Sequence, residues 1–501
     1  MTPRTWRPAE PAESTRKEPA GQDRADGAPR ALGHLFPVAP AVAPAVAPAV
    51  APAAGPAAGP RPWGRRALAV AGQAAAVVLG AALLLLRIPG IPSWDTIYAE
   101  DYSEFLIAAL QHPWHLFIQY NGYEQLLPRV VAQLVTYLPL ADAAKAFACG
   151  GALTAALCAL FVFHASAGHI RSAPLRALLA AAVVLLPSAP MEIADSTVDA
   201  PWYLLLALFW AVLWRPRTRT GMAVAAVVGF VTAASTSIVI VFAPLLAVRV
   251  FALRRVRDQA VTAGWLAGCL VQLPLVVAAA ASGQSRLVGG QAPASGRGDP
   301  LADSLSFYLH DVVLRSAGWH LSWWLESRTT QDWATLIVGV ALAAALGVIM
   351  AGRPQTRPFI AVALLTGFVV TVLSVFLTPW PAALPVTFHS EVEARYTALP
   401  LFLIDAALVV GVDHVLRGRR AATARWPALR PALAVAALVA FLAVGWVTDF
   451  RYQGLRSAPS AHQWSTVVAD WRHACAASPT GEIRAHVRYG YWTIPCDRLR
   501  F

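Results

Sequence analysis

Three carboxylates follow the first long apolar run of the sequence, at Glu100, Asp101 and Glu104. A pair of carboxylates at a membrane surface can take a proton from a hydroxyl group or bind a divalent cation. The spacing of Asp101 and Glu104 also suits helix capping, in which each side chain satisfies a free backbone amide of the first turn. Capping leaves Glu100 without a role, so the pattern predicts a catalytic pair, Glu100 and Asp101, without saying which of the two is the base.

A second acidic stretch, MEIADSTVD, contains Glu192, Asp195 and Asp199. Pro190 and Pro201 bracket this stretch, which favours a loop over a helix. Two interpretations stay open. Either the loop forms a second acidic site for a metal or an acceptor, or it is a solvated turn between two membrane spans.

The elements that must position these residues are membrane helices. Of the 501 residues, 57% are hydrophobic and 14% are charged, and the mean hydropathy is +0.53. Repeated apolar runs of about 18–22 residues have the length that a bilayer core requires, so we expect an all-α polytopic membrane protein. The net charge of +12 follows from Arg residues beside the membrane helices. The sequence contains no basic, aromatic-interleaved soluble domain that would bind nucleic acid.

About eleven membrane spans are predicted, near 67–87, 143–165, 175–190, 200–214, 221–235, 237–253, 260–281, 333–350, 358–378, 395–415 and 429–447. Loops rich in Arg alternate with long loops rich in Trp, His and carboxylates, which is the charge pattern of cytoplasmic and outer loops. We therefore expect a multi-pass protein of the cell (plasma) membrane, with a cytoplasmic N-terminus and an extracytoplasmic C-terminus. The fifth and sixth spans are too short for two full crossings and suit a shallow hairpin.

The chain divides into three regions. Residues 1–62 are polar and then rich in Pro and Ala, and should form a disordered cytoplasmic tail. Residues 63–448 form the membrane domain, with a first outer loop at 88–142 and a third, large outer loop at 282–332. Two amphipathic helices are expected in the first outer loop, one of them lying in the membrane interface. Residues 449–501 form a small extracytoplasmic segment.

Two cysteines, Cys475 and Cys496, lie in this last segment. Outside the cytoplasm they can form a disulfide, which would stabilise the folded state by about 3 kcal/mol. The section VRYGYW between them alternates like a strand, and a segment of this size has no independent core without such a staple. A lid, an acceptor platform and a topological cap stay open as its role.

The order of these features resembles the GT-C superfamily of membrane glycosyltransferases. These enzymes take sugars from polyprenyl-phosphate carriers, and they include protein O-mannosyltransferases and mycobacterial arabinosyltransferases. The resemblance covers roughly residues 67–447 as a layout. Its residues are Ala99-Glu100-Asp101, Asn121-Gly-Tyr123, Leu127-Pro-Arg129, the second-loop acids with Trp202-Tyr203, and Ala394-Arg-Tyr396. The acidic pair of the protein O-mannosyltransferases is Asp-Glu, whereas here the order is Glu-Asp.

The resemblance implies an inverting sugar transfer on the outer face of the membrane. A carboxylate takes the proton from an acceptor hydroxyl, which attacks the anomeric carbon from the face opposite the lipid phosphate. Departure of the phosphate needs positive charge, and Arg395 and Arg129 are the candidate phosphate-binding residues. The alternatives are a snorkelling anchor for Arg395 and a solvated polar face for Arg129. Some members bind a divalent metal between first-loop and second-loop acids, so Mg²⁺ or Mn²⁺ is the implied cofactor.

The implied partners are a polyprenyl-phosphate sugar donor, membrane lipid, and an envelope glycan, lipid or protein acceptor. One alternative is a multi-pass transporter or flippase of a lipid or solute, and another is a structural role in envelope assembly. Transporters often contain internal repeats and charges at the membrane midplane. We find no repeat, and the charges cluster in the outer loops. Asp405 falls inside the tenth span, where an ionisable group is usually functional or paired, so a contact within the bundle is expected.

Overall fold

A computed structural model of the chain describes residues 34–38, 62–97, 100–120, 122–187, 193–282, 300–377, 394–417, 429–451, 463–476, 481–487 and 490–496. In chain order its first helices are α1 (Pro62–Leu85), α2 (Ile107–Gln111), α3 (Leu126–Val135), α4 (Ala143–Ala165), α5 (Ala173–Val184), α6 (Ala200–Leu213), α7 (Arg219–Ala233) and α8 (Ala243–Ala252). The later helices are α9 (Ala260–Ala281), α10 (Pro300–Phe307), α11 (Trp319–Glu326), α12 (Gln331–Gly352), α13 (Arg357–Leu377), α14 (Ala394–Arg417), α15 (Leu429–Thr448) and α16 (Trp464–Ala476). A two-stranded antiparallel hairpin follows, with β1 at Glu482–Val487 and β2 at Gly490–Pro495.

Six helical stretches in the described part of the chain are long and apolar enough to cross a membrane. They are Ala67–Leu85, Leu140–Gly168, Val256–Ala281, Gln331–Gly352, Pro354–Ser374 and Arg395–Arg417. By length and composition this confirms a helical, membrane-embedded protein, because helices satisfy their own backbone hydrogen bonds in lipid.

The predicted count of eleven spans is wrong. A helix forms at each predicted position, but α5, α6, α7 and α8 have only 12, 14, 15 and 10 residues. These lengths are below the roughly 20 residues that a full crossing needs. Polar and proline residues divide the apolar runs: Pro216 follows the end of α6, and the Thr236 side chain caps a new turn after α7.

Two helices, α6 and α14, form the centre of the bundle. Every residue of α6 is buried, and the apolar window of α14 is 83% buried, compared with 11% for α1 at the periphery. Asp199 directly precedes α6 and Arg395 lies in the first turn of α14. The two central helices therefore begin with opposite charges.

The predicted shallow hairpin comprises α7 and α8, and its turn is buried at Thr232, Ser235 and Thr236. α7 packs closely on α9, where a Cβ atom at Gly264 would collide with the α7 backbone. At the turn, Ser235 Oγ accepts a 3.1 Å hydrogen bond from the backbone amide of Leu127. The hairpin therefore supports the start of α3 in the first outer loop.

Part of the predicted disordered tail is packed on the membrane domain. Leu35 and Phe36 are buried in the main hydrophobic core, and the Arg249 guanidinium lies 5.9 Å from the centre of the Phe36 ring. The backbone carbonyl of Pro37 lies so close to Gly168 that a side chain there would collide with it. Residues 34–38 therefore belong to the folded protein, and the rest of the predicted tail up to residue 61 lies outside the described residues.

The C-terminal segment packs against the first outer loop. Cys475 and Cys496 form a disulfide, with their Cα atoms 5.5 Å apart. The Trp464 ring of α16 lies 5.4 Å from the ring of Tyr102, edge to face. The section VRYGYW, predicted as one strand, spans the end of β1 and the start of β2, and residues 488–489 between them lie outside the described residues.

Candidate functional site

Asp101 joins the first outer loop to the second. Its Oδ1 accepts a 2.9 Å hydrogen bond from the Val198 amide, and its Oδ2 accepts one of 3.2 Å from the Thr197 amide. Thr197 is itself held by a hydrogen bond from its hydroxyl to the Phe147 carbonyl of α4. Asp101 is fully buried, so it is a positioning residue that orients the chain entering α6.

The capping prediction for Asp101 and Glu104 is wrong. These residues lie in a π-helical segment, Asp101–Leu106, which leads into α2 and has no side-chain cap. The backbone amides that Asp101 satisfies belong to the second loop, because the fold places them against its carboxylate. The sequence has the spacing of a capping pair, but the Asp101 side chain instead accepts hydrogen bonds from backbone amides of the second loop.

Glu100 differs from its neighbour. It is half-buried, and its Oε2 makes no hydrogen bond with any described residue. Burial raises the pKa of Glu104, the charge of Glu100 raises it further, and the charge of Arg129 opposes them. Glu100, Glu104 and Arg129 therefore lie within electrostatic range of one another. Within the predicted pair, Glu100 is the carboxylate that keeps a free oxygen.

Arg129 is buried against the protein, and the interpretation of a solvated polar face is wrong. Its Nε lies 3.4 Å from Glu124 Oε1, and its guanidinium lies 5.4 Å from the centre of the Phe105 ring. α3 is amphipathic as predicted, but Arg129 points inward while Leu134 and Leu138 are exposed. This orientation suits a helix in the membrane interface, with lipid on its apolar side.

Glu124 is a functional candidate that the sequence did not reveal. It is completely buried, and neither carboxylate oxygen makes a hydrogen bond with a described residue. Gln272 of α9 fixes its backbone, with 2.8 Å to its amide and 2.9 Å to its carbonyl. Burial raises the pKa of Glu124 to about 8, while the charge of Arg129 and a backbone hydrogen bond lower it. In the sequence, Glu124 lies between the motifs that end at Tyr123 and begin at Leu127, and this position could have drawn attention to it. Its spacing from other charged residues matches no known functional pattern.

Arg395 and Asp199 bring the two central helices together at the site. Arg395 Nη1 lies 3.7 Å from Asp199 Oδ1, and the Arg395 side chain is 27% exposed whereas Asp199 is buried. The guanidinium lies 5.2 Å from the centre of the Tyr396 ring, which packs edge to face on Trp202. Arg395 is therefore held in place and keeps part of its surface open to a ligand.

Tyr123 connects the two arginine pairs. Burial raises the pKa of its hydroxyl, and the charges of Arg395 and Asp199 also act on it. Its neighbour in the chain, Glu124, pairs with Arg129. Two consecutive residues, Tyr123 and Glu124, therefore lie near both arginine pairs.

The predicted second acidic loop separates into two parts. Asp195 is buried, lies in the left-handed backbone region with φ of 58°, and its charge acts on Arg87. Asp199 instead belongs to the site with Arg395. Because the described residues of this loop are almost all buried, the interpretation of a solvated turn is wrong. Glu192 lies outside the described residues.

Two carboxylates of the site that could bind a divalent cation, Asp101 and Asp199, already contact protein groups. Both oxygens of Asp101 accept backbone hydrogen bonds, and Asp199 contacts Ser196 Oγ at 3.0 Å as well as Arg395. Across the described ranges, no three His, Cys, Asp or Glu side chains are grouped to hold a metal ion. The implied Mg²⁺ or Mn²⁺ stays a prediction, since Glu192 is not among these residues.

The arrangement combines two carboxylates with oxygens that make no hydrogen bond to a described residue, Glu100 and Glu124, with two arginines and aromatic side chains. Such a set can take a proton from a hydroxyl group and stabilise a phosphate leaving group. Comparisons with protein-family models, with curated proteins and with solved structures found no match.

Proposed function

We propose that the protein is an inverting glycosyltransferase. It transfers a sugar from a polyprenyl-phosphate donor to an envelope glycan, lipid or protein on the outer face of the membrane. The observation that carries this proposal is the link from the acidic pair to Arg395. Asp101 binds the amides of residues 197 and 198, and the next residue, Asp199, pairs with Arg395. The proposed base, Glu100, is adjacent to Asp101, and the proposed phosphate-binding residue, Arg395, pairs with Asp199. The hydrogen bonds of Asp101 therefore connect the segments that carry both residues.

In the proposed reaction Glu100 is the base. Its carboxylate takes the proton of the acceptor hydroxyl as the hydroxyl oxygen bonds to the anomeric carbon. The bond from that carbon to the phosphate oxygen breaks, and its electron pair leaves with the polyprenyl phosphate. Arg395 stabilises the charge that develops on the phosphate, through two parallel hydrogen bonds from its guanidinium. The new bond forms on the opposite face, so the configuration at the anomeric carbon inverts.

Arg129 is the second cation in this scheme. Its partner Glu124 has a raised pKa, so near neutral pH the pair carries a net positive charge. Such a charge favours an anionic donor over a neutral one. Glu124 therefore acts as a positioning residue that sets the charge and orientation of Arg129.

The disulfide supports an outer-face location. Cys475 belongs to α16, whose Trp464 packs on Tyr102 next to the acidic pair. Disulfides persist in oxidising compartments. The site and the disulfide lie on the same side of the chain's membrane helices, and we therefore propose that the N-terminus is cytoplasmic and the C-terminus extracytoplasmic.

The test is a transfer assay in proteoliposomes with a panel of radiolabelled polyprenyl-phosphate sugars. Glu100→Gln should lower transfer by at least about a hundredfold, because the base is lost and the shape is kept. The matched control is Asp332→Asn, at an outer-loop carboxylate that is 88% exposed. Transfer by Glu100→Gln at the rate of the control would remove the base assignment. No transfer by the wild type from any donor would remove the proposed function.

One observation favours the alternative of a transporter or flippase. Asp405 is buried within α14 and makes no hydrogen bond or ion pair with a described residue, so the expected partner was not found. A lone carboxyl inside a membrane helix is a common feature of transport pathways. If Asp405→Asn abolished lipid or solute movement in proteoliposomes while Glu100→Gln had no effect, the alternative would replace the transferase.

A further inference from the structure

A cavity lies between the first outer loop and the C-terminal segment, and its lining includes no residue of the two arginine pairs. It is a groove of about 880 Å³ between the turn Ser93–Asp95, the start of α4 and the exposed side of α16. The residues that matter for binding are Trp94, Lys145, Gln463, Arg472 and His473.

The walls of the groove are fixed to each other. Asp95 Oδ1 accepts a 2.8 Å hydrogen bond from the Ser465 amide, and Oδ2 accepts one of 2.9 Å from the Ser465 hydroxyl. The Trp464 indole donates a 2.8 Å hydrogen bond to the Leu140 carbonyl, and the disulfide at Cys475 holds the other end of α16. The groove is therefore formed before any ligand binds, which lowers the entropy cost of binding.

The chemistry of the lining suits an acidic saccharide. Trp94 is 39% exposed, and its ring offers an apolar face with a polar N–H at its edge. Lys145 and Arg472 outnumber the one carboxylate of the lining, Asp95, which is already occupied by Ser465. Lys145 pairs with Asp142, but both side chains are exposed, so this ion pair contributes little and the ammonium group can turn to a ligand.

We propose that this groove binds an acidic saccharide chain, with a sugar ring against Trp94 and a carboxylate or phosphate at Lys145. The groove and the catalytic segment share one stretch of chain, since Asp95 lines the groove and Glu100 follows it within the same loop. As the acceptor of the transfer reaction, the bound saccharide would be the substrate of the proposed function, and this inference rests on that function. It then identifies the acceptor as an acidic saccharide.

The test is equilibrium dialysis of the full chain in nanodiscs, with no donor present. Radiolabelled trigalacturonate is compared with the neutral maltotriose, and empty nanodiscs are the blank. Trigalacturonate should bind at least about fivefold more tightly than maltotriose, and the difference should shrink at high salt. Trp94→Ala should weaken binding roughly three- to tenfold. Lys145→Gln, an exposed change that leaves the fold intact, should remove the preference for the acidic sugar.

Two controls make the result specific. Trp323→Ala removes another exposed tryptophan, on α11, and should leave binding unchanged. Glu100→Gln should also bind normally. Equal binding of the two sugars, no binding of either, or the same effect from Trp94→Ala and Trp323→Ala would each overturn the proposal. Because dialysis needs no turnover, binding without transfer would remove only the proposed function, and transfer without binding would remove only the groove.

Discussion

The Asp101 carboxylate accepts a hydrogen bond from the backbone amide of Val198, 97 residues further along the chain. This contact joins the first outer loop to the start of the central helix α6, and the second oxygen makes a similar bond to Thr197. Two adjacent carboxylates thereby have different tasks. Asp101 holds the frame, and Glu100 keeps an oxygen without a hydrogen-bond partner among the described residues.

Asp101→Ala should destabilise the protein, because one buried and one partly buried backbone amide lose a charged acceptor. The expected loss is about 2–4 kcal/mol of unfolding free energy, measured by thermal unfolding in detergent micelles. Glu100→Gln is the matched comparison and should change stability by less than about 0.5 kcal/mol while removing transfer. If both variants were equally stable, Asp101 would not be the positioning residue.

Glu124 should make stability depend on pH. Its folded-state pKa of about 8 lies above the ordinary value of 4.5, so the folded protein binds the proton more tightly than the unfolded chain. Its contribution is fully present below about pH 4.5 and is lost as the pH rises through 8, a change of about 5 kcal/mol. Glu124→Gln mimics the protonated form and should flatten this slope in thermal unfolding between pH 5 and 9. Asp303→Asn, at an exposed carboxylate, should keep the wild-type slope, and an unchanged slope in Glu124→Gln would contradict the assignment.

Arg395→Ala should lower kcat/KM for the lipid-linked donor by roughly a hundredfold, because the developing phosphate charge loses its partner. Arg395→Lys should recover only part of this, since an ammonium group lacks the two-pronged geometry of a guanidinium. Arg328→Ala is the control, because this exposed arginine stacks on Trp324 in the third outer loop. Steady-state transfer kinetics give the comparison. Full recovery by lysine would show that charge alone is sufficient.

The disulfide should stabilise the C-terminal segment. Cys475→Ser should lower the unfolding free energy by about 3 kcal/mol, the value expected for a loop of this length. Cys149→Ser, at a free cysteine on α4, should have little effect. After reduction of intact cells, a membrane-impermeant thiol reagent should label Cys475 from outside. Labelling only after the membrane is opened would contradict the proposed topology.

Phe36 should anchor the N-terminal segment. Phe36→Ala removes a buried ring from the main core and should cost about 3–5 kcal/mol, measured as earlier thermal unfolding and faster proteolysis near residues 34–38. Val38→Ala is the control, because this side chain is exposed. Equal proteolysis of the two variants would mean that the segment does not depend on its buried ring.

Local patterns in the sequence were sufficient to predict the helices and to name most residues of the candidate site. In the described part of the chain, the long apolar runs form helices, because a chain in lipid must satisfy its own backbone hydrogen bonds. Hence a helix lies at every predicted span, and the pair Glu100–Asp101, the arginines 129 and 395, and Asp199 could all be named in advance. Their types and their positions at helix ends carry that information.

The separate roles of these residues depend on contacts between segments that are far apart in the chain. Glu124 became visible only through Gln272, 148 residues away, and through its buried contact with Arg129. Likewise, whether Arg129 faces solvent or the protein follows from how α3 lies on its neighbours, since an amphipathic stripe does not say which side meets lipid. Asp195 and Asp199 were predicted to form one site, but they have different partners, because Asp195 lies near Arg87 and Asp199 lies near Arg395. The sequence alone determined which side chains were available, and the tertiary structure decided which of them are occupied, because burial and long-range hydrogen bonds arise only when distant segments meet.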